Sequence, residues 1–333
     1  MRKARRPAAI ALALALALQL GAAVPAAAAD ITATAGYENG NSSLNLTQIA
    51  RYTSGQFNVD GGVMEIVAYN RANGFAYAIN GQSGLLAAIS LENLAAGSFV
   101  ARLSGMDIDV KALVEAADSS FRYGDMTSVA ISPDSATLAA ALQAEGYNDA
   151  GRVALFTCNA DGTLTLKGLV ETGVQPDMVT FADNDTVLTA DEGEPREGYG
   201  DGVADPRGSV TVVDVSALTS EVVGFDAFDG RRDELAASGV VLKKGVNPST
   251  DLEPEYIAVS GGKAYITLQE NNAIAVLNLA SRTFDGIYSA GFEDYGVTPV
   301  DIDKTDDAYA PKTYGNLMGI RMPDAIAAFQ AEG

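Results

Sequence analysis

The stretch Asp251 to Ala280, DLEPEYIAVSGGKAYITLQENNAIAVLNLA, decides the fold. Tyr256 to Val259 is a short run of β-formers, Gly261-Gly262 a tight-turn pair, and Ala264 to Leu268 a second run. Asn271-Asn272 gives another turn signal before a third run from Ala273 to Leu279. The pattern predicts three antiparallel strands joined by short turns. A single meander cannot bury its own faces, so it needs neighbours of the same kind stacked against it.

Those neighbours are in the chain. The first run of the meander recurs as MEIVAY from Met64, MTSVAI from Met126, PDMVTF from Pro176, PEYIAV from Pro254 and PDAIAA from Pro323. The second position is acidic in four of the five (Glu65, Asp177, Glu255 and Asp324) and is Thr127 in the other. Most spacings exceed the roughly 40 to 50 residues of a four-stranded propeller blade, so several blades carry insertions. The expected fold is all-β: a β-propeller of about four blades plus the first strand of the next, with short inserted helices. A leading strand with no second strand after it predicts an incomplete propeller and a chain that is a piece of a longer protein.

Along the chain, Leu44 and Leu46 alternate as in a strand, which is expected to pair with a later blade. Val110, Leu113, Val114 and Ala117 recur at helical spacing behind Asp109, a candidate cap, and Arg232 to Ser238 reads as a second short helix. In the second unit Asp161-Gly162 opens a hairpin into Leu164 and Leu166, giving a fourth strand, which is propeller arithmetic.

Residues 1–29 lie outside the pattern. Arg2, Lys3, Arg5 and Arg6 precede an apolar core from Ala8 to Leu20 and a small-residue cleavage site at Ala27 to Ala29, a secretory signal peptide ahead of a propeller domain over 30–333. The apolar core is short for a span, and no other segment is long and apolar enough to cross a bilayer. Cleavage removes four basic residues and no acid from a chain already at net charge −21. Such a charge disfavours nucleic acid and anionic lipid and accommodates cations, and it also serves plain solubility. The expected partner is an extracellular or periplasmic ligand.

The sequence contains no histidine. A Ser-His-Asp triad, a histidine-ligated zinc or haem and a His general base are therefore excluded within this chain, and no nucleotide-binding motif is evident. Cys158, the single cysteine, lies in the apolar run Val153 to Cys158 and reads as a buried structural thiol.

The remaining chemistry is carboxylate chemistry. In a propeller the first strands line the central channel, which would bring Glu65, Asp177, Glu255 and Asp324 to a common axis. Like charges so placed call for a cation, buried water or basic partners, or else each bonds to backbone N–H groups and joins blades. Asp191, Glu192 and Glu194, with Asp201 and Asp205 behind them, form the densest acidic loop; Asp301, Asp303, Asp306 and Asp307 form another. Oxygen ligands interspersed with glycine suit Ca²⁺ better than Zn²⁺, although neither loop matches an EF-hand and both also read as solvated loops. Gln269, Glu270 and Asn271 follow strand two of the Pro254 unit, where Asp191 and Glu192 follow it in the Pro176 unit; they either line a ligand face or form simple turns.

Pro176 to Phe181, the Glu192 to Pro195 loop, Asp251 to Val259, Leu268 to Ala273 and Met322 to Ile326 together resemble the bacterial choice-of-anchor I family, related to mesenchyme-specific cell-surface glycoproteins. The resemblance covers roughly residues 44–333. It implies a secreted or surface-attached β-propeller of the YVTN/WD40-like type, in chains that usually continue past the Pro-Asp-Ala-Ile strand. Some relatives carry alkaline phosphatase or nucleotidase names, so a metal-dependent phosphoesterase using carboxylate ligands is the alternative to a binding or scaffold module. No catalytic residue transfers from the family, and no anchor signal is visible.

Overall fold

A computed structural model describes residues 34–39, 42–57, 63–92, 94, 99–100, 102–198, 202–303, 308–329 and 331. The expected signal peptide over 1–29, and Asp201, Asp306 and Asp307 of the acidic loops, lie outside the described residues. The chain forms two compact units, Met1–Arg51 with Leu94–Arg102, and Tyr52–Asn93 with Leu103–Gly333.

In the first unit β1 (Thr34–Asn39) and β2 (Ser42–Thr47) form an antiparallel hairpin with Thr34 opposite Thr47. The segment holding Leu44 and Leu46 thus pairs locally, which corrects the expected pairing with a later blade. Closing a hairpin over two residues loses far less chain entropy than recruiting a distant strand. A parallel bridge joins Ala50 to Val100 in the same unit.

The second unit holds four four-stranded antiparallel meanders. The first blade is β3 (Val67–Asn70), β4 (Phe75–Asn80), β5 (Leu85–Ser90) and β6 (Gly105–Asp109). The second is β7 (Tyr123–Ile131), β8 (Thr137–Ala144), β9 (Ala150–Cys158) and β10 (Leu164–Val174). The third is β11 (Pro176–Phe181), β12 (Thr186–Asp191), β13 (Ser209–Asp214) and β14 (Thr219–Gly224). The fourth, which holds the deciding stretch, is β15 (Pro254–Ser260), β16 (Lys263–Leu268), β17 (Ala273–Asn278) and β18 (Thr283–Ser289). In every blade the strands follow chain order, and the first strands of successive blades are neighbours: β3 by β7, β7 by β11, β11 by β15. This is the blade-by-blade packing of a β-propeller.

The core lies between the sheets. In β8, Leu138, Ala140 and Leu142 face a cluster with Tyr77, Leu86 and Phe156, whereas Ala139 and Ala141 face a second cluster with Val153, Leu155, Val179 and Val213. Side chains alternate between the two faces of a strand, so a sheet covered on both sides is apolar at consecutive positions. That explains why Thr137 to Gln143 are all buried. Each fully buried Leu or Phe in these layers contributes about 1.5–3 kcal/mol. The third and fourth blades share a further cluster containing Leu188, Val210, Ile257 and Ile266, with Phe225 stacked on Phe284 at 4.5 Å between ring centroids.

The insertions sit outside this stack. Helix α1 (Val110–Ala117) is capped as expected, with Asp109 Oδ1 accepting from Ala112 N at 2.8 Å, and it buries Val110 and Val114. Helix α2 (Arg232–Ala237) follows a 3₁₀ turn, and the four-residue α3 (Pro248–Asp251) leads into β15. After the fourth blade the chain makes a two-stranded hairpin, β19 (Phe292–Asp294) with β20 (Met318–Ile320). The stretch 321–329, expected as the next leading strand, carries no ladder of its own. A first strand is held by its blade's second strand, and among the described residues none follows it. It is tied to the fourth blade by Thr267 Oγ1, which donates to the Asp324 carbonyl at 2.6 Å, and by Asn272 Oδ1, which accepts from Arg321 N at 2.9 Å and Met322 N at 3.2 Å.

Candidate functional site

The first strands of the second, third and fourth blades are interrupted by bulges. Register shifts fall between Tyr123 and Asp125 and between Met126 and Ser128 in β7, between Pro176 and Met178 in β11, and between Pro254 and Ile257 in β15. Asp177, Glu255 and Tyr256 therefore sit inside bulges. A bulge sets two residues against one and re-aims a side chain that would otherwise alternate across the sheet. Proline opens both β11 and β15, a position where its missing N–H takes no bond from the ladder.

The bulges border a cavity of about 310 Å³ lined by Glu65, Asp125, Thr127, Gln143, Asp177, Arg196 and Tyr256, together with Val63, Ile66, Gly81 and Met126. Burial pushes the Asp177 carboxyl up to about 6, with Arg196 opposing and Asp324, Asp125 and Glu194 adding to the rise. Burial also raises Asp125, opposed by the Met126 N–H and reinforced by Glu65. Glu192 is pushed up to about 8 by burial, then by Asp177 and Glu194. Glu255 reaches about 9 through burial and the charges of Glu192, Asp177, Glu270 and Asp324. The four acids picked out at the heads of the repeats thus share one electrostatic neighbourhood: Glu65 and Asp177 line the cavity, and Glu255 and Asp324 lie within charge range of Asp177.

Arg196 is the single basic side chain of that lining. Its Nη2 donates to Gln143 Oε1 at 2.9 Å and its Nε to Gln175 Oε1 at 3.0 Å. Gln175 in turn donates through Nε2 to the Tyr147 and Glu194 carbonyls. Glu192 and Glu194 stand 4.0 Å from the guanidinium. Gln143 is 4 % exposed, and its Nε2 has no hydrogen-bond partner. Because Arg196 can only donate, the Gln143 carbonyl must face it, which leaves a buried N–H₂ donor without a partner.

Two further networks of buried acids hold strand and turn tips in the third and fourth blades. Asp191 is fully buried at the end of β12, where Thr189 Oγ1 donates to Oδ1 at 2.7 Å and Ser209 Oγ and Thr211 Oγ1 donate to Oδ2 at 2.8 and 2.6 Å. Burial raises its carboxyl to about 6 against those three bonds. Before β15, Lys243 N donates to Asp251 Oδ2 at 2.6 Å and Lys243 Nζ to Glu253 Oε1 at 2.8 Å, with both acids buried. Asn271 fastens this turn: Nδ2 donates to the Val241 and Asp251 carbonyls and Oδ1 accepts from Glu253 N.

The other expected site residues are placed as follows. Asn271 is 2 % exposed and bonds to the fold itself, while Glu270 has a buried Oε2 without a partner and Gln269 is half-buried beside it. Asp301 turns its carboxylate onto the backbone, accepting from Asp303 N at 3.0 Å and Ala310 N at 2.6 Å. Among the described residues no three Asp, Glu or Cys side chains group closely enough to hold one metal ion between them. Sequence reading missed Asp125, which supplies the second blade's carboxylate two residues before Thr127, and it missed Arg196, Gln143 and Tyr256. The spacing of two before Thr127 was the available signal for Asp125. Nothing in the sequence marks Arg196, whose place depends on how its loop folds back.

Four stacked antiparallel meanders whose first strands are neighbours define a β-propeller. The model of the Choice-of-anchor I domain matches residues 65–333, and the chain belongs to that family. Family and architecture fit a surface or secreted binding or scaffold module, and no helix among the described residues is long and apolar enough to cross a membrane. A comparison with curated proteins gives no match. Among solved structures, the chain is similar to a protein of unknown function from Bacteroides caccae at 12% identity and TM-score 0.38, covering 68% of this chain and 61% of that one. It is similar to a protein from Lactobacillus plantarum at 14% identity and TM-score 0.44, covering 78% and 67%. A third is the β-propeller domain of Myceliophteria thermophila Cps50 (Swd1), at 13% identity and TM-score 0.39, covering 69% and 56%. The chain therefore spans only part of the length of these structures.

Proposed function

We propose that this chain is an exported surface module that binds a cationic ligand in the cavity at the mouth of its channel. The observation that carries the reading is the grouping of Glu65, Asp125 and Asp177 around one cavity with a single guanidinium among them. Acids so arranged repel one another, and a bound cation relieves that repulsion. Export is supported by the charged, apolar and small-residue segments of 1–29.

Ca²⁺ is one candidate. It takes six to eight oxygens, and these carboxylates are spread around a cavity larger than a bare ion, so calcium bound here would keep part of its water shell. The phosphoesterase alternative would draw on these same carboxylates, and turnover of a model phosphate ester that EDTA abolishes would favour it. Titration with CaCl₂ by calorimetry, together with melting curves in EDTA and in calcium, tests the reading. Heat of binding and a raised melting temperature are expected. Absence of both for calcium and for organic cations would end it.

A further inference from the structure

We infer that Lys243 and Asp251 become joined by an amide bond between Lys243 Nζ and Asp251 Cγ, formed with the help of Glu253 once the chain has folded. The inference goes beyond the binding reading and does not draw on the cavity. Lys243 Nζ stands between two acids whose side chains are 0 and 2 % exposed, 3.5 Å from Asp251 Oδ1 and 2.8 Å from Glu253 Oε1. The two oxygens of Asp251 are held differently. Oδ2 accepts from Lys243 N at 2.6 Å, while Oδ1, on the side of the amine, is buried and takes no hydrogen bond. An amine, a carboxyl beside it and a second carboxyl bonded to the amine are the groups that amide formation needs.

The backbone around these groups is pinned from both sides. Asn271 Nδ2 donates to the Val241 and Asp251 carbonyls and its Oδ1 accepts from Glu253 N, and Arg232 donates to the Lys243 and Val246 carbonyls. Groups fixed in this way react as if at effective concentrations of about 10⁵ M or more. Burial disfavours the ammonium and carboxylate forms together, so a proton passes from the amine to a carboxyl more readily here than in water. The neutral amine then attacks Asp251 Cγ, a C–N bond forms, and the Lys243 backbone N–H steadies the charge on Oδ2. Glu253 takes a proton from the nitrogen and passes it to Oδ1, which leaves as water. Ammonium and carboxylate thus become one amide and one water, with no other reactant. The buried ion pair is the starting state of this step. Its product is a neutral link from the segment after α2 to the last residue of α3, in a chain whose single cysteine forms no internal disulfide.

The test is the intact mass of the folded, purified full chain, measured after denaturation. The chain is expected to be lighter than its polypeptide by one water. Trypsin is expected to pass over the acylated Lys243 and to give one branched peptide joining residues 233–244 to 245–263. Lys243→Arg keeps the positive charge but offers no amine, and is expected to restore the full mass. Glu253→Gln keeps the shape of the side chain but not its proton transfer, and is expected to link at least about a hundredfold more slowly after refolding. A wild-type chain at full mass overturns the inference and leaves only the ion pair. A missing water that survives Lys243→Arg also overturns it, because the loss then lies at a cyclised aspartate. Linking of Glu253→Gln at the wild-type rate overturns the part given to Glu253. Should a variant fail to fold, the presence or absence of the branched peptide in the wild-type chain still decides.

Discussion

Gly208 and Pro254 meet across the seam between the third and fourth blades with room for a hydrogen and nothing larger. A Cβ on Gly208 would stand 2.7 Å from Pro254 Cδ and closer still to the Leu252 carbonyl oxygen. The same relation recurs one blade earlier, where a Cβ on Gly151 would lie 2.6 Å from Pro176 Cγ. It recurs again at Gly81, 2.8 Å from the Met126 carbonyl. Each leading strand thus docks against a glycine near the outgoing tip of the previous blade, which sets how closely the acids at the strand heads approach.

Gly208→Ala therefore forces two blades apart at the backbone. Overpacking of this kind costs about 1–3 kcal/mol, and a urea unfolding midpoint is expected to fall accordingly. Gly230→Ala, where a Cβ meets nothing within 4 Å, is the control and should shift stability by no more than about 0.5 kcal/mol. Equal effects from the two would show that the seam is not tightly packed.

Asp191 separates a structural carboxylate from a ligand. Its oxygens are taken by three hydroxyls, so Asp191→Ala strands three buried donors. At about 1–3 kcal/mol for each group left unsatisfied, a loss of at least about 2 kcal/mol is expected. Calcium affinity should be unchanged. A variant of full stability with lost calcium binding would move Asp191 from the fold to the site.

Lys243 neutralises a turn that carries two buried acids, Asp251 and Glu253. Removing one partner of a buried ion pair leaves an uncompensated charge, so Lys243→Met is expected to cost about 3–5 kcal/mol at neutral pH. Burial already raises both carboxyls, and Lys243 is what opposes it. The deficit should shrink near pH 5, where the acids can take up protons. A deficit independent of pH would mean that the loss is one of packing.

Much of the architecture was legible because period and turn chemistry are local. Gly261 and Gly262 at φ +58° and +76°, and Gly74 at +76°, stand at the turns where the sequence placed them. Asp109 caps the helix its spacing implied. The partner of β2 was not legible, since alternation reports a strand but not which strand it meets. At the site, an aligned acid marked Asp177 and Glu255, but bulges shift register by a residue, so alignment alone placed Thr127 where Asp125 supplies the charge. Arg196 and Gln143 come from a loop and a second strand, and only the folded chain brings them to one wall.

Four buried acids of the third and fourth blades fix the sign of the pH dependence. The carboxyls of Asp177 and Asp191 sit at about 6, Glu192 at about 8 and Glu255 at about 9, against ordinary values of 3.8 for Asp and 4.5 for Glu. Below those ordinary values each group is protonated in both folded and unfolded chains and contributes nothing. As pH rises the unfolded chain releases its protons first, so it binds fewer than the folded chain and stability falls with pH. The fall continues until each folded value is passed, which spans pH from about 4 to about 9. Asp118, Asp134 and Asp161 act oppositely, because hydrogen bonds from neighbouring Ser and Thr groups hold them low, and their contribution is lost only in stronger acid. The melting temperature at fixed ionic strength is therefore expected to peak near pH 5 and to decline toward pH 9. Arg196→Met should steepen the decline, since the guanidinium lowers Asp177, Glu192 and Asp125. A saturating cationic ligand should flatten it by favouring the ionised acids. A melting temperature that rises from pH 6 to pH 9 would contradict the crowding of carboxylates on which the binding proposal stands.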